Sequence, residues 1–570
     1  MNLISNILKN EREYNELLNT VKEQMSARVP HPSRLVGLCD GARNAIFATV
    51  ISELRRCGSH TVLLLVPDEK EAMRAHNTFT ALGLNSRTYS YRDFVFYNIT
   101  ASREYEHERL GVLHTILDGS CDVVVTTPDA ALQYTMPKSK LESTTFNLSI
   151  NDTVDLSKVK EMLVTSGYQS VDMVDGVGQF SVHGGILDVF PAGSENPVRI
   201  EFFGDDIDSM GLFDIITQRR IEQVDQVKIT PSRELIVDSD ARQRIASLVK
   251  GLIKKAKSEQ SKDILAAEIE AINAGGDLRF ADKYISLIYE NSECLFDYFE
   301  NDSVILCREY NACIDRVKSY EWHTKQNVTS LLEDGLISGS VANYGGDYET
   351  INKAISTHSG IIADSFMSSI ADMRFAAIFS MTTKQTVSYA ENFELLTEDL
   401  RSYLNGGFKT VLLCENEIMA KNLSSMLQGE GINTQIVDED FEFTDGINAV
   451  ITYGIVLSGF ELSVSKFALL STYSAGSAYN PVHFKNRKTK SKKKSAREKI
   501  MSYADLSEGD YVVHVTHGIG MFLGIQSVTV DGVTRDYIKI KYAGTDIIYL
   551  PCEQLDSISK YIGAKGEDGT

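Results

Sequence analysis

The stretch Val171–Met210, VDMVDGVGQFSVHGGILDVFPAGSENPVRIEFFGDDIDSM, decides how the rest of this chain is read. Two β-rich runs flank Ala192–Pro197, a loop built from the Gly, Ser, Asn and Pro that turns require. In the second run Val198, Ile200 and Phe202 alternate with Arg199, Glu201 and Phe203, so a period of two puts the first three on one face and the second three on the other. The first face is core. The second carries an arginine and a large aromatic on either side of a carboxylate. Gly184-Gly185 interrupts the first run and predicts a bulge that re-aims its side chains. Such a polar face is either part of a twisted antiparallel sheet with Phe203 under a neighbouring loop, or an exposed arginine–aromatic pair of the kind found at interface hot spots.

Around this stretch, 570 residues predict several domains, each with its own core. A hydrophobic fraction of 43% with 24% charged residues is that of a soluble globular protein, and neither a membrane-length apolar run nor a signal-peptide core at Met1–Asn10 is present. The eight cysteines are scattered with no CxxC pair, which predicts reduced thiols and a cytoplasmic protein rather than a disulfide frame or zinc site. The net charge of −21 excludes a chain coated with DNA-binding surface and confines any nucleic-acid contact to local patches.

The N-terminal part reads as an amphipathic helical lead-in over 1–27, followed by α/β alternation. Leu35-Val36, Thr61–Val66 and Asp122–Thr126 are strands, and Ala42–Arg56, Glu69–Leu82 and Ser102–Leu117 are helices, a parallel layout of the P-loop kind. A working phosphate loop needs small glycines, a Lys for the β/γ oxygens and a Ser/Thr for magnesium. The sequence offers Gly37-Leu38-Cys39-Asp40-Gly41-Ala42-Arg43-Asn44, in which Gly37 matches but Ala42 stands for the second glycine, Arg43 for the lysine and Asn44 for the hydroxyl. The loop is therefore read as inactive towards ATP, and Asp68-Glu69 as a helix cap rather than a metal-binding acid pair.

Further on, Arg242–Ala271 and Arg279–Tyr298 read as helices, and Ser303–Cys307 as a strand returning to the first domain. A second small α/β domain is expected over 346–475. Lys485–Lys499, KNRKTKSKKKSAREK, holds nine Lys/Arg against one Glu and reads as a solvated tether, with weak, salt-dependent contact to DNA phosphates as the alternative. The last part, GDYVVHVTHGIGMFLGI then RDYIKIKYAGTDIIYLP then QLDSISKYIG, has short alternating strands broken by Gly and Asp531-Gly532 turns, predicting a small bent β-barrel. His514-x-x-His517 lies on a strand with no third ligand near, so no metal is expected there.

GQFSVHGGILDVFP and PVRIEFFGDDIDSM resemble the UvrA-interaction domain shared by the excision-repair protein UvrB and the transcription-repair coupling factors (Mfd). The degenerate phosphate loop, the ASREYEHERL run without room for a DNA-clamping hairpin, and a C-terminal part similar to the CarD-like (Tudor-like) RNA-polymerase-interaction domain point to the second family. The resemblance implies an α/β multidomain protein. Its parts are a degenerate P-loop-like domain (1–140 and 232–340) with an inserted α+β UvrA-interaction domain (141–231), a small α/β domain (346–475), a basic linker (476–505) and a CarD-like bent barrel (506–563).

The resemblance also implies partners and sites. UvrA is expected on His183, Arg199 and Phe203, with His183 on the strand beside Arg199 and in place of a family arginine; lacking the guanidinium fork, it shifts weight onto Arg199. The RNA polymerase β subunit is expected on an edge strand, Phe522–Val530, through Phe522, Leu523 and above all Val528. In this family a DNA-translocating ATPase, with ATP and magnesium, follows the barrel; this chain stops at Gly566–Thr570, so a truncated or incomplete gene is expected, with no cofactor in these residues, DNA contact chiefly through the missing motor, and no membrane partner. The implied function is a bacterial adaptor of transcription-coupled nucleotide-excision repair; the alternative is a CarD-type polymerase-binding regulator.

Overall fold

The computed structural model describes residues 2–561 apart from 10, 59, 95, 97–103, 257, 276–277, 301, 371–372, 391, 439–440, 442, 444–445, 455–456, 473–496, 500–510, 515–517, 531–532, 543–546 and 552–557. Two helices, Asn2–Leu8 and Arg12–Met25, open the chain, and the stripe Tyr14, Leu17, Leu18 and Val21 is buried as its helical spacing predicts. The first strands are Pro32–Val36 (β1), Val62–Leu65 (β2), Ser86–Tyr89 (β3) and Val123–Thr126 (β4). β1, β2 and β4 are buried along their whole length, as parallel strands covered on both faces must be. Asp68 caps the helix Glu69–Ala81 by accepting from the Glu71 N–H at 2.9 Å, as expected of it.

The insert follows: Phe146–Ser149 (β5), helix Leu156–Thr165, Gln169–Ser170 (β6), Gln179–His183 (β7), Ile186–Val189 (β8), Val198–Phe203 (β9), Asp206–Phe213 (β10), Arg220–Gln223 (β11) and Gln226–Ile229 (β12). Six of these make a sheet in the order β11-β10-β9-β8-β7-β6, while β12 pairs antiparallel with β5 and returns the chain beside its entry. Phe180, Leu187, Val189, Val198, Ile200, Ile207 and Met210 pack with Val159 and Leu163 of the helix into a core of the insert's own.

The bulge expected at Gly184-Gly185 is instead a two-residue hairpin turn, because His183 pairs with Ile186 and Val182 with Leu187. Gly184 takes a φ of +62°, and a Cβ on Gly185 would stand 2.7 Å from the Phe202 carbonyl oxygen, so one glycine serves the turn and the other a close approach.

Val304–Arg308 (β13), Ser359–Asp364 (β14) and Ile378–Ser380 (β15) complete the first sheet, whose order is β15-β1-β14-β13-β2-β4-β3 with every pair parallel. The strand return expected at Ser303–Cys307 is thus present, but the first unit extends further than 340. SGIIAD of β14 is buried throughout and lies between β1 and β13, which draws Ser359–Ser380 out of the expected second domain. The expected Arg279–Tyr298 helix is three short turns, Ala281–Tyr284, Ile285–Ile288 and Leu295–Tyr298. Lys283 and Tyr284, adjacent in sequence, both bond the buried Glu268 carboxylate and hold this segment to the helix Glu259–Ala274.

The second α/β unit comprises Thr383–Gln385 (β16), Lys409–Cys414 (β17), Gln435–Ile436 (β18), Ala449–Tyr453 (β19), Phe460–Leu462 (β20) and Phe467–Ser471 (β21), in the order β16-β20-β21-β17-β19-β18. Helix Asp40–Arg56 lies in one continuous core with both units: Ile46 and Phe47 join Leu35 and Leu64 on one side and Val411, Phe460 and Leu469 on the other.

The C-terminal unit is an antiparallel sheet of Arg497–Lys499 (β22), Tyr511–His514 (β23), Gly518–Val530 (β24), Val533–Lys541 (β25), Ile547–Pro551 (β26) and Ile558–Tyr561 (β27), ordered β22-β27-β23-β24-β25-β26. Its register slips between Phe522 and Ile525, where Gly524 has a φ of 106°, so β24 bends there. The last three residues of the basic run form β22, while the rest of that run, His517 and Asp531-Gly532 lie outside the described residues.

Candidate partner-binding face

The outer face of the insert sheet follows from register. Directly opposed residues share a face, so Ser181, Asp188, Arg199 and Gly211 form one row and His183, Ile186, Glu201 and Ser209 the next. Phe203 follows at the end of β9. The alternation read from the sequence holds: Val198 and Ile200 are buried, Phe202 packs against the core, and Phe203 is 81% exposed. Phe203 therefore lies under no loop.

Two expectations for this face need correction. Arg199 is half-buried rather than free. Its Nε and Nη2 donate to the two oxygens of Asp188 at 2.7 Å each, Nη2 also reaches Gln218 Oε1 at 3.2 Å, and the guanidinium stacks 4.7 Å over the Phe213 ring. The bond to Asp188 raises the Arg199 pKa above its ordinary value, so the charge is permanent. His183 is exposed on the same face but not beside Arg199: it sits on β7, with β8 between, opposite Ile186 and level with Glu201. The sequence located β7 and β9 but not the strand that separates them.

The phosphate-loop region has become a junction. Cys39 N–H donates to the Thr383 hydroxyl at 2.7 Å and Gly41 N–H to Gln385 Oε1 at 2.9 Å, so amides of the kind that cradle phosphate are taken by β16 side chains. A Cβ on Gly41 would lie 2.9 Å from the carbonyls of Ser458 and Gly459, and one on Gly37 2.8 Å from that of Met381. Arg43 points into the protein, donating to the Leu38 carbonyl at 3.1 Å and Ser365 Oγ at 2.7 Å and pairing with Glu309 at 3.0 Å. Burial, then the nearby Arg308, lowers its pKa. Asn44 is buried beside it.

Comparison with known proteins adds two domain matches, a UvrB interaction domain at residues 146–235 and a CarD-like/TRCF RID domain at 506–562. Along the whole chain, it is 28% identical over 584 residues to the transcription-repair-coupling factor of Bacillus subtilis (strain 168), covering 100% of this chain and 48% of the relative. It is 26% identical to that of Staphylococcus epidermidis over 93% of this chain and 45% of the relative, and 25% identical to that of Staphylococcus haemolyticus over 99% and 47%. Along its length the chain is similar to transcription-repair-coupling factors. It spans about half the length of the curated relatives it matches.

The second expected docking element is β24. Strand order places it between β23 and β25, yet β23 pairs only with Gly518–Met521, so among the described residues Phe522–Val530 has a partner strand on one side, β25. Phe522 is 4% exposed and thus a core residue rather than a contact, because it precedes the bend and faces inward with Ile538 and Ile540. Leu523 is half-buried, and Val528 pairs with Arg535 through its backbone, its side chain lying outside the described residues.

Elsewhere, His60, Glu300 and Asp302 bring one ligand atom each within 4.8 Å of one another among the described residues, but all three are exposed, which ordinary surface ion pairing explains. No described helix is long and apolar enough to cross a membrane. Sequence reasoning missed Asp188, Phe213 and Gln218, which hold Arg199. The alternation within ILDV was the available signal for Asp188; its pairing with Arg199 depends on the hairpin register.

Proposed function

We propose that this chain is the docking part of a bacterial, cytoplasmic transcription-coupled repair factor: the insert recruits UvrA and the C-terminal sheet engages RNA polymerase, through a strand of its β subunit added along Phe522–Val530. The observation that carries this is the pairing of two matched interaction domains on either side of an α/β body whose phosphate-loop amides are bound by its own side chains. The UvrB interaction domain favours this adaptor over a CarD-type regulator, for which the insert has no use. ATP-driven DNA translocation, implied for the complete family protein, has no support from the degenerate loop. Weak DNA contact by the basic run is a secondary element.

Paired binding assays test the proposal. Phe203→Ala is expected to weaken binding to UvrA alone, and Val528→Asp binding to polymerase alone. If the folded variants bind both partners like the parent, the assignment is wrong.

A further inference from the structure

The outer face of the insert offers little unspent charge. Arg199 is paired with Asp188 across β8 and β9, and Arg220 Nη2 meets Glu201 at 2.9 Å and reaches Ser209 Oγ at 3.4 Å. Each arginine is thus neutralised by an acid on its own face, and a partner arriving there meets matched pairs rather than a cationic field. Beyond these pairs the face carries the Asp206 carboxylate, which stands opposite Phe203 and accepts from the Thr153 hydroxyl at 2.6 Å, and an apolar patch. Phe203 is almost wholly exposed, and Ile186, on the next strand, is 40% exposed. Because Ile186 stands opposite Glu201, it is the diagonal neighbour of Phe203, within reach of a large side chain.

The hairpin turn completes the shape. Gly184 and Gly185 end β7 and begin β8 without side chains, both are exposed, and a Cβ added to Gly184 would touch nothing within 4 Å. The flank of Phe203 is therefore a bare backbone shelf, bounded by the Phe203 ring, Ile186 and the exposed His183. A flat, side-chain-free floor between two apolar walls suits an aliphatic or aromatic side chain, which loses water from three sides on entering.

Building on UvrA as the partner of this face, we infer that the Gly184–Gly185 turn, Ile186 and Phe203 form an apolar shelf that seats a hydrophobic side chain of that partner, with Ile186 a specificity-determining residue and the arginine pairs a polar frame. Binding then depends on apolar contact and only weakly on salt, since both arginines of the face are already paired.

The discriminating pair of variants is Ile186→Val and Ile186→Thr, which share a shape and β-branching and differ by a methyl against a hydroxyl. Titrations of the whole chain with UvrA are expected to leave Ile186→Val within about twofold of the parent and to weaken Ile186→Thr by about fivefold or more. The parent's affinity is expected to change less than about threefold between about 50 and about 500 mM NaCl. Thermal melts confirm that each variant is folded. If Ile186→Thr binds like Ile186→Val while Phe203→Ala loses affinity, UvrA docks here but the shelf is wrong. A steep fall in affinity with salt overturns the shelf in the same way. If Phe203→Ala and Ile186→Thr both bind like the parent, the site itself lies elsewhere and the inference falls with it.

Discussion

Arg199 and Asp188 face each other across β9 and β8 and meet through two hydrogen bonds of 2.7 Å, a bidentate pair in which the carboxylate is almost fully buried. The arginine is oriented before any partner arrives. A pre-set guanidinium loses less conformational freedom on docking than a free one.

This pairing changes what an alanine variant reports. Arg199→Ala leaves the Asp188 carboxylate buried without its partner, which is expected to cost about 1–3 kcal/mol of stability in addition to any loss of binding. Asp188→Asn keeps the shape but gives up the charged bond, so it is expected to weaken UvrA binding several-fold without the substituted residue being a contact. Denaturant melts alongside titrations separate the effects. An unfolding midpoint for Arg199→Ala equal to that of the parent would show that Asp188 is well solvated.

Nucleotide is expected not to bind. Cys39 and Gly41 amides are spent on Thr383 and Gln385, and the carbonyls of Ser458 and Gly459 close in on Gly41. Calorimetry with magnesium-ATP should show no heat of binding. Removing both caps, by Thr383→Ala with Gln385→Ala, is expected to cost about 1–3 kcal/mol and to speed hydrogen exchange at Cys39 and Gly41. Micromolar ATP binding lost on substituting Gly41 would overturn this.

Acid sensitivity is expected from two histidines. Burial, aided by Arg87, lowers the pKa of His76, and burial, aided by Lys228 and opposed by Asp118, lowers that of His114. The unfolded chain takes up these protons near the ordinary imidazole pKa of about 6.5, whereas the folded chain resists them. The contribution is complete above that value and is lost as pH falls below it towards the lowered folded pKa values. Melting temperature should therefore drop between about pH 7.5 and about pH 5.5, and drop less in His76→Gln, which retains a partner for the Ser86 hydroxyl. Equal drops in parent and variant would remove His76 from the account.

In the C-terminal sheet, Phe522 and Val528 should behave oppositely. Phe522 is core, so Phe522→Ala is expected to cost about 3–5 kcal/mol in that unit and to lose polymerase binding only through unfolding. Val528→Asp is expected to abolish polymerase binding with little change in the melt. A large stability loss in Val528→Asp would make Val528 a core residue as well.

Period-two alternation in VRIEFF by itself puts Val198 and Ile200 inside and Phe203 outside, because a pleated strand leaves a side chain no other choice once one face is buried. The missing lysine and hydroxyl of the phosphate loop are likewise plain from the amino-acid sequence, since that chemistry depends on residue type at fixed local spacing. Tertiary structure alone decided whatever depended on partners distant in sequence. Register made Asp188 the mate of Arg199, slid β8 between His183 and Arg199, and set Ile186 beside Phe203. The parallel sheet took β14 from the expected second domain because a strand with an apolar centre fits wherever a two-sided slot is open, and the sequence does not say which. Thr383 and Gln385, more than three hundred residues along the chain, came to close the phosphate loop for the same reason: local pattern fixes which face a residue takes, but only the assembled fold fixes what it faces.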